Sequence, residues 1–294
     1  MQDFFITKFY IKKVRHLENI YIELSDTEKK HLIITGKNGS GKTSLINCFE
    51  SIFVARYLWR ESSGQHSKNC FNMEYDYDSG IEVYSSLQLS DFSHSSFFDD
   101  YVFATLHANR ALNLDLPRAI ETIDVGSSVL ASHSFLKYLL YLNYQKMNAI
   151  MSKDTDEERK IQQWFDMFLD TLRDIYDCPE LELKHNSKDL SYRIHMPGRE
   201  PFGLHEMADG YSSFIHIVLE LMMKMENNAS LTYDMPGIVF IDEIETHLHV
   251  ELQKRVLPFL TRMFPRIQFI VTTHSPFVIT STPNAVVYDL ETTD

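Results

Sequence analysis

The sequence predicts an α/β fold centred on a buried parallel sheet, and three segments carry that prediction. The apolar run Leu32-Ile33-Ile34 leads into Gly36-Lys37-Asn38-Gly39-Ser40-Gly41-Lys42-Thr43, and Ser44-Leu45-Ile46-Asn47-Cys48-Phe49 then reads as the start of a helix. Gly237-Ile238-Val239-Phe240-Ile241 is apolar at successive positions, as a strand covered on both faces requires, and it ends in Asp242-Glu243. Gln268-Phe269-Ile270-Val271-Thr272-Thr273 is a third such strand, and it delivers His274 and then Ser275-Pro276.

The first segment fits the phosphate-binding pattern G-x-x-x-x-G-K-[ST] at every fixed position, with the strand before it and the helix after it that the chemistry needs. Gly36, Gly39 and Gly41 let the backbone form a nest of inward N–H groups ahead of a helix dipole, and Asn38, Ser40 and Ser44 complete the cradle. Lys42 is expected to reach the β- and γ-phosphates of a nucleoside triphosphate, ATP, and the Thr43 hydroxyl to ligate Mg2+. Asp242 is expected to hold the same ion, while Glu243 orients and polarises the attacking water. A histidine at the carboxyl end of a parallel strand enters the ligand crevice, so His274 is placed to donate a hydrogen bond to a γ-phosphate oxygen. Singly, the acids read as a solvated strand end and His274 as a structural residue. Their order in the chain favours the site.

That order resembles the ABC-type ATPases, in the soluble branch that holds the structural-maintenance-of-chromosomes heads, RecF and the overcoming-lysogenization-defect nucleases. Glu245-Thr246-His247-Leu248-His249 is similar to the E-x-H-L-H element of the last group, and Val271 to Pro276 to its switch-histidine segment. The resemblance implies an ABC-ATPase-type P-loop core with an N-terminal antiparallel β-lobe and an inserted helical lobe. A single head would then span 1–294: β-lobe and phosphate loop in 1–115, helical lobe with a hairpin in 116–206, and signature, Asp-Glu and switch-histidine strands in 207–294. At the amino end, Tyr10 to Ile20 alternates like a strand, turns, and re-enters as Tyr21-Ile22-Glu23-Leu24. Similar heads place an arginine of such a hairpin against ATP, and Arg15 falls there; a basic strand end in solvent is the competing reading. The signature loop, which in similar proteins closes over ATP held by a second subunit, is matched by Met207-Ala208-Asp209-Gly210-Tyr211-Ser212-Ser213. Ala208 stands where transporter signatures carry serine, so Ser212 or Ser213 is left to supply a hydroxyl near Gly210.

Composition bounds the alternatives. The chain has 294 residues, 44% of them hydrophobic, enough for one elaborated domain. Cys48, Cys70 and Cys178 give no disulfide framework and fit a reducing cytoplasm. The start lacks a secretory pattern, and no apolar run approaches the roughly eighteen residues of a membrane span, so no membrane partner is expected. A formal charge of −13 argues against nonspecific coating of nucleic acid. Basic clusters at Lys8, Lys12, Lys13 and Arg15, and at Lys254, Arg255, Arg262 and Arg266, keep a nucleic-acid groove open.

The middle of the chain reads as strands at 81–89 and 101–106, helices at 132–151 and 155–176, and a hairpin over 181–184 and 190–195. A glutamine loop like that of similar ATPases is not placed: Gln88 falls within a strand, and His107, Asn109 and Arg110 follow the next one. There is no room for long coiled-coil arms. Thirteen histidines raise a zinc site at His247 and His249, but ligands at zinc spacing are missing and the E-x-H-L-H match accounts for the pair. The strand at 285–288 comes shortly before the end of the chain, with no nuclease domain beside it, an ending that favours a switch unless the sequence is a piece of something longer. Similar ATPases with G-Y-S-S and E-T-H-L-H elements occur beside toxic effectors in bacterial anti-phage systems. The resemblance therefore implies an ATP-hydrolysing head that dimerises around ATP, as a homodimer or higher even oligomer, and switches a separate effector protein. The ATPase part of a DNA repair or DNA-processing clamp is the alternative.

Overall fold

A computed structural model describes residues 5–51, 72–74, 80–85, 101–109, 114, 117, 131–226 and 233–292. The chain divides into two compact units, residues 1–109 with 234–294, and residues 110–233. In the first unit, alternating burial folds the amino end into an antiparallel pair, β1 (Ile6–Val14) and β2 (Leu17–Glu23). The chain re-enters at Leu17, earlier than Tyr21. Val14 pairs directly with Leu17, and Arg15 turns the chain with a φ of 53°. A buried strand β3 (His31–Thr35) follows, and helix α1 (residues 42–51) buries Leu45, Ile46 and Phe49. Next come β4 (Asn72–Glu74) and β5 (Gly80–Ser85), which complete the antiparallel sheet in the order β2-β1-β5-β4, and β6 (Val102–Leu106). Gln88 and Arg110 lie outside the described residues; His107 lies with its Nε2 3.4 Å from Glu50 Oε2.

The second unit holds α2 (Phe135–Ser152) and α3 (Thr155–Tyr176). Asp154 caps α3 by accepting the Glu157 N–H at 3.1 Å, Asp156, Glu157 and Glu158 face the positive end of its dipole, and Asp177 ends it in the left-handed conformation. Phe135, Leu139, Trp164, Phe168 and Leu172 are buried, as their helical spacing predicts. An antiparallel sheet β7 (Glu182–Asn186), β8 (Ser191–His195) and β9 (Phe202–Gly203) leads to α4 (Asp209–Glu226). Trp164 Nε1 donates to the buried Glu226 carboxylate at 2.9 Å, so the far end of α4 is fixed to α3 by a satisfied buried acid.

Back in the first unit, β10 (Gly237–Ile241), α5 (Val250–Met263), β11 (Ile267–Thr272), the short α6 (Pro276–Ile279) and β12 (Ala285–Asp289) complete a five-stranded parallel sheet, β12-β3-β11-β10-β6. Phe49 of α1 ties the two sheets together, with its ring centroid 4.4 Å from Phe9 of β1 and 5.6 Å from Phe240 of β10. Among the described residues, no helix is long and apolar enough to cross a membrane.

Two buried polar side chains replace missing ladder bonds. Gln268 of β11 accepts the Ile6 N–H at 2.7 Å and donates to the carbonyls of Ile6 and Lys30 at 2.9 and 2.7 Å, which pins the start of β1 to the parallel sheet. His31 Nδ1 accepts the Phe269 N–H at 3.0 Å, and only the neutral ring with its proton on Nε2 can do this. Burial first, and the Lys29 charge second, lower the His31 pKa to about 4. The folded value lies below the unfolded one, so this contribution is intact above pH 6.5 and is lost as pH falls from 6.5 through about 4. Asparagine can offer its Oδ1 to the same N–H and does not titrate. Between about pH 7 and about pH 4.5, His31→Asn is expected to lose about 2 kcal/mol less stability than the wild type, measured by denaturant unfolding at the two pH values.

Candidate functional site

Loop 36–41 turns the chain from β3 into α1, and its geometry depends on residues that press on it. Gly36 has a φ of 144°, and a Cβ there would lie 2.8 Å from Ser40 Oγ. Gly41 has a φ of 101°, and a Cβ there would lie 2.7 Å from Leu17 Cδ1. The β1–β2 hairpin therefore sits on the loop: Leu17 packs at Gly41, and His16 Nε2 is 3.2 Å from the Ser40 carbonyl. Arg15 is exposed in the same turn, one residue from that contact. From the other side, Glu291 accepts the Lys37 N–H at 2.9 Å and pairs with the Lys37 ammonium at 3.1 Å. At Gly39 the loop faces open space, with a φ of 83°. Ser40 Oγ is buried with no hydrogen-bond partner among the described residues. An open, strained backbone with an orphaned hydroxyl inside it fits an anionic oxygen ligand.

Lys42, the first residue of α1, is buried, and its ammonium donates to the Gly36 and Lys37 carbonyls at 2.9 and 3.0 Å. Burial pushes its pKa below the usual lysine range, against the pull of Glu243, Asp242, Glu245 and Glu291. Thr43 and Asn38 are exposed and Ser44 half-buried at the mouth of the helix.

The acid pair leaves β10 where the ladder still holds it, with the Asp242 N–H on the Leu106 carbonyl at 2.8 Å. One hydroxyl orders both acids. Thr272 Oγ1 donates to Asp242 Oδ1 at 2.6 Å and accepts the Glu243 N–H at 2.8 Å. Glu243 adopts a φ of 45°, costly for a residue with a side chain, and Thr246 Oγ1 donates to its Oε2 at 3.2 Å. At the end of β11 the Thr273 N–H reaches the Ile34 carbonyl at 3.0 Å, and His274 emerges exposed. The structure thus brings loop 36–44, Asp242, Glu243 and His274 to one end of the parallel sheet, and the Arg15 turn onto the loop. Gly210 and Ser212 belong to the second unit: Gly210 is buried in the first turn of α4, the Ser212 N–H donates to the Ala208 carbonyl at 2.9 Å, and the ring of Tyr211 stacks on Tyr176 at 4.3 Å. The backbone at Gly210 is helical, without a positive φ.

Oxygen donors suit a hard divalent cation, and the Asp242 carboxylate, already turned by Thr272, together with the Thr43 hydroxyl is such a set. His247 and His249 are both exposed, and no group of three metal-ligating side chains occurs among the described residues. Sequence reasoning named Thr272, Glu245 and Thr246 only as members of motif segments, with no role of their own, and gave Glu291 no part. A hydroxyl at the end of an otherwise apolar strand was the available signal for Thr272.

A parallel sheet whose carboxyl edge carries a phosphate loop, an acid pair and a histidine defines an ABC-type ATPase head. Residues 32–280 match the family model described as "AAA domain, putative AbiEii toxin, Type IV TA system", and the chain belongs to that family. It is 42% identical over 73 residues to a "Septu protein PtuA" of Bacillus mycoides, across 25% of this chain and 10% of that protein. It is 37% identical over 76 residues to a "Retron Ec83 probable ATPase" of Escherichia coli, across 25% of this chain and 14% of that one. The chain thus matches well under two thirds of the length of these curated relatives. A solved SMC head bound to the C-winged helix domain of ScpA shares its fold, with a TM-score of 0.50 at 16% identity over 95% of this chain and 92% of that one.

Thr272→Val keeps the β-branched shape and removes both hydroxyl bonds. It is expected to cost about 1–3 kcal/mol of stability for the orphaned Glu243 N–H. The ATPase rate should fall by about tenfold or more, while Thr272→Ser stays within about threefold of wild type. Steady-state turnover and thermal unfolding of the two variants check this together.

Proposed function

We propose that this chain binds ATP with Mg2+ and hydrolyses it as a head that pairs around the nucleotide, and that the paired and released states switch a separate effector protein in a bacterial anti-phage system. The observation that carries the reading is the buried Lys42 at the head of α1, at the same sheet edge as Asp242 and Glu243, where one threonine hydroxyl bonds the Asp242 carboxylate and the Glu243 backbone N–H. Loop amides and Lys42 bind and orient the phosphates. Asp242 and Thr43 hold Mg2+, which when bound neutralises phosphate charge. Glu243 takes the proton of the attacking water as that water adds to the γ-phosphorus, and the bond to the β–γ bridging oxygen breaks, releasing ADP and phosphate. His274 donates to a γ-phosphate oxygen, and Arg15 approaches the nucleotide from the hairpin turn. The reading of a defence role is supported by likeness to proteins named for Septu and retron systems. A cytoplasmic location accords with it.

The clamp reading gains little from the basic residues, several of which are engaged locally: Lys13 with Glu18 at 2.6 Å, Lys254 with Glu251 at 2.8 Å, and Arg262 over Phe259.

Glu243→Gln keeps the shape of the side chain and loses the base. ATP binding is expected to persist while turnover falls about 10²–10⁴-fold, and ATP-bound dimers should accumulate in size-exclusion chromatography. Wild-type turnover in this variant would assign the base elsewhere.

Pairing in trans is tested by mixing. Gly210→Glu sets bulk and negative charge against a phosphate held by a partner chain, while Lys42→Ala removes the phosphate cation. Both parents are expected to be inactive, and mixtures should recover up to one composite site per dimer, read as ATPase rate against mixing ratio. Full activity of Gly210→Glu alone would exclude the signature role.

A further inference from the structure

The segment after the acid pair is a run of turns over residues 242–247, closed by Thr246 N–H on the Glu243 carbonyl and Leu248 N–H on the Glu245 carbonyl, both at 2.9 Å. Besides Asp242 it presents two carboxylates, in different directions. Glu243 is held by Thr246, whereas Glu245 reaches across to the end of β11. Its Oε1 accepts the His274 N–H at 2.5 Å, and its Oε2 accepts the Thr273 hydroxyl at 2.6 Å. The same Thr273 oxygen accepts the Ser275 N–H at 3.0 Å, and the Ser275 hydroxyl donates to Gln253 Oε1 at 2.7 Å. Gln253 in turn donates from Nε2 to the Leu248 carbonyl at 2.8 Å. A closed ring of hydrogen bonds thus runs from the acid-pair turn to the backbone of His274 and back through α5.

We propose that Glu245 is a positioning residue that holds the His274 backbone at the edge of the site and locks it to the turn carrying Glu243. The proposal rests on the reading of Glu243 and His274 given above and deepens it. Two donors, an amide N–H and a hydroxyl, converge on one side chain, and a carboxylate accepts both, one on each oxygen. Glutamine offers a single acceptor oxygen; with that oxygen on the His274 N–H its NH2 faces the Thr273 hydroxyl, which must then turn from donor to acceptor. Aspartate is a methylene short of the span. With Glu245 absent, the exposed His274 keeps its side chain but loses the anchor that fixes where the ring projects.

The test measures kcat, and ATP affinity by isothermal titration, for Glu245→Ala, Glu245→Gln, His274→Ala and the double variant Glu245→Ala/His274→Ala. Misplacement by an ångström costs about 10²-fold, so Glu245→Ala should lower kcat by about that factor while ATP affinity changes less than about threefold. Because Glu245 acts through His274, the double variant should be no slower than His274→Ala alone, a non-additivity that a merely structural role does not give. Glu245→Gln should fall between Glu245→Ala and wild type. If Glu245→Ala does not fold, Thr273→Val replaces it in the same cycle, with a several-fold loss that vanishes in the His274→Ala background. Wild-type kcat in Glu245→Ala, or losses at 245 and 274 that multiply, would overturn the proposal. The Glu243→Gln variant separates the two levels: if it has lost turnover while the losses at 245 and 274 multiply, the clamp is wrong and the reading of the site stands. If Glu243→Gln turns over normally, that reading fails and the proposal with it.

Discussion

Parallel register across β3, β11 and β10 is the constraint on which the site depends. Ile241 lies beside Val271 and Val271 beside Ile33, so the next residues, Asp242, Thr272 and Ile34, come level at the carboxyl edge. Thr272 can therefore reach Asp242 and the Glu243 N–H at once, while the Thr273 N–H reaches Ile34, two residues before the phosphate loop begins. A slip of one residue would send every side chain of a strand to the opposite face and take the threonine hydroxyl from both acids. Burial on both faces of β10 and β11 makes that slip costly, because close-packed side chains would change faces and buried Gln268 would lose its partners.

Within this frame, opposing electrostatic effects meet at Lys42. Burial disfavours its charge, and four carboxylates favour it; burial wins, and the ammonium turns inward to the Gly36 and Lys37 carbonyls. A lysine in this setting gains from an added anion far more than one in water, because the interaction is made in a medium of lower dielectric. The loop is prepared in the same sense from outside: the hairpin residues His16 and Leu17 press on one side, and Glu291 ties Lys37 on the other. Loop shape is therefore the product of three distant parts of the chain, with the glycines supplying only the permission to adopt it.

The helical unit shows the same preference for polar pins in apolar surroundings. Trp164 and Glu226 fix one end of α4, and the Tyr176–Tyr211 stack fixes the end that carries Gly210. Gln268 and His31 play this part in the sheet unit, each bonded to backbone groups of a neighbouring strand. Such pins contribute little net free energy when complete and are costly to break, so they specify one arrangement among many of similar apolar burial.

The sequence by itself determined the local elements and the ends at which chemistry sits. Gly36 to Thr43 is a contiguous pattern, β10 is a continuous apolar run and β11 has an apolar centre from Phe269 to Val271, and α3 is bounded as read, from Thr155 to Tyr176, because its cap and acidic first turn are written in neighbouring residues. Legibility falls where a contact joins residues far apart in the chain. Thr272 with Asp242 and Glu245 with His274 are separated by about thirty positions, and Glu291 with Lys37 by 254, so no window of sequence contains both partners. The early turn at Arg15 was hidden for a related reason, since apolar residues recur through it at even spacing, Val14, Leu17 and Ile20, and only the pairing of Val14 with Leu17 places it. Strand order, register and the pressure of the hairpin on the loop belong to tertiary structure alone, because they are fixed by the mutual burial of surfaces that the chain brings together only once it has folded.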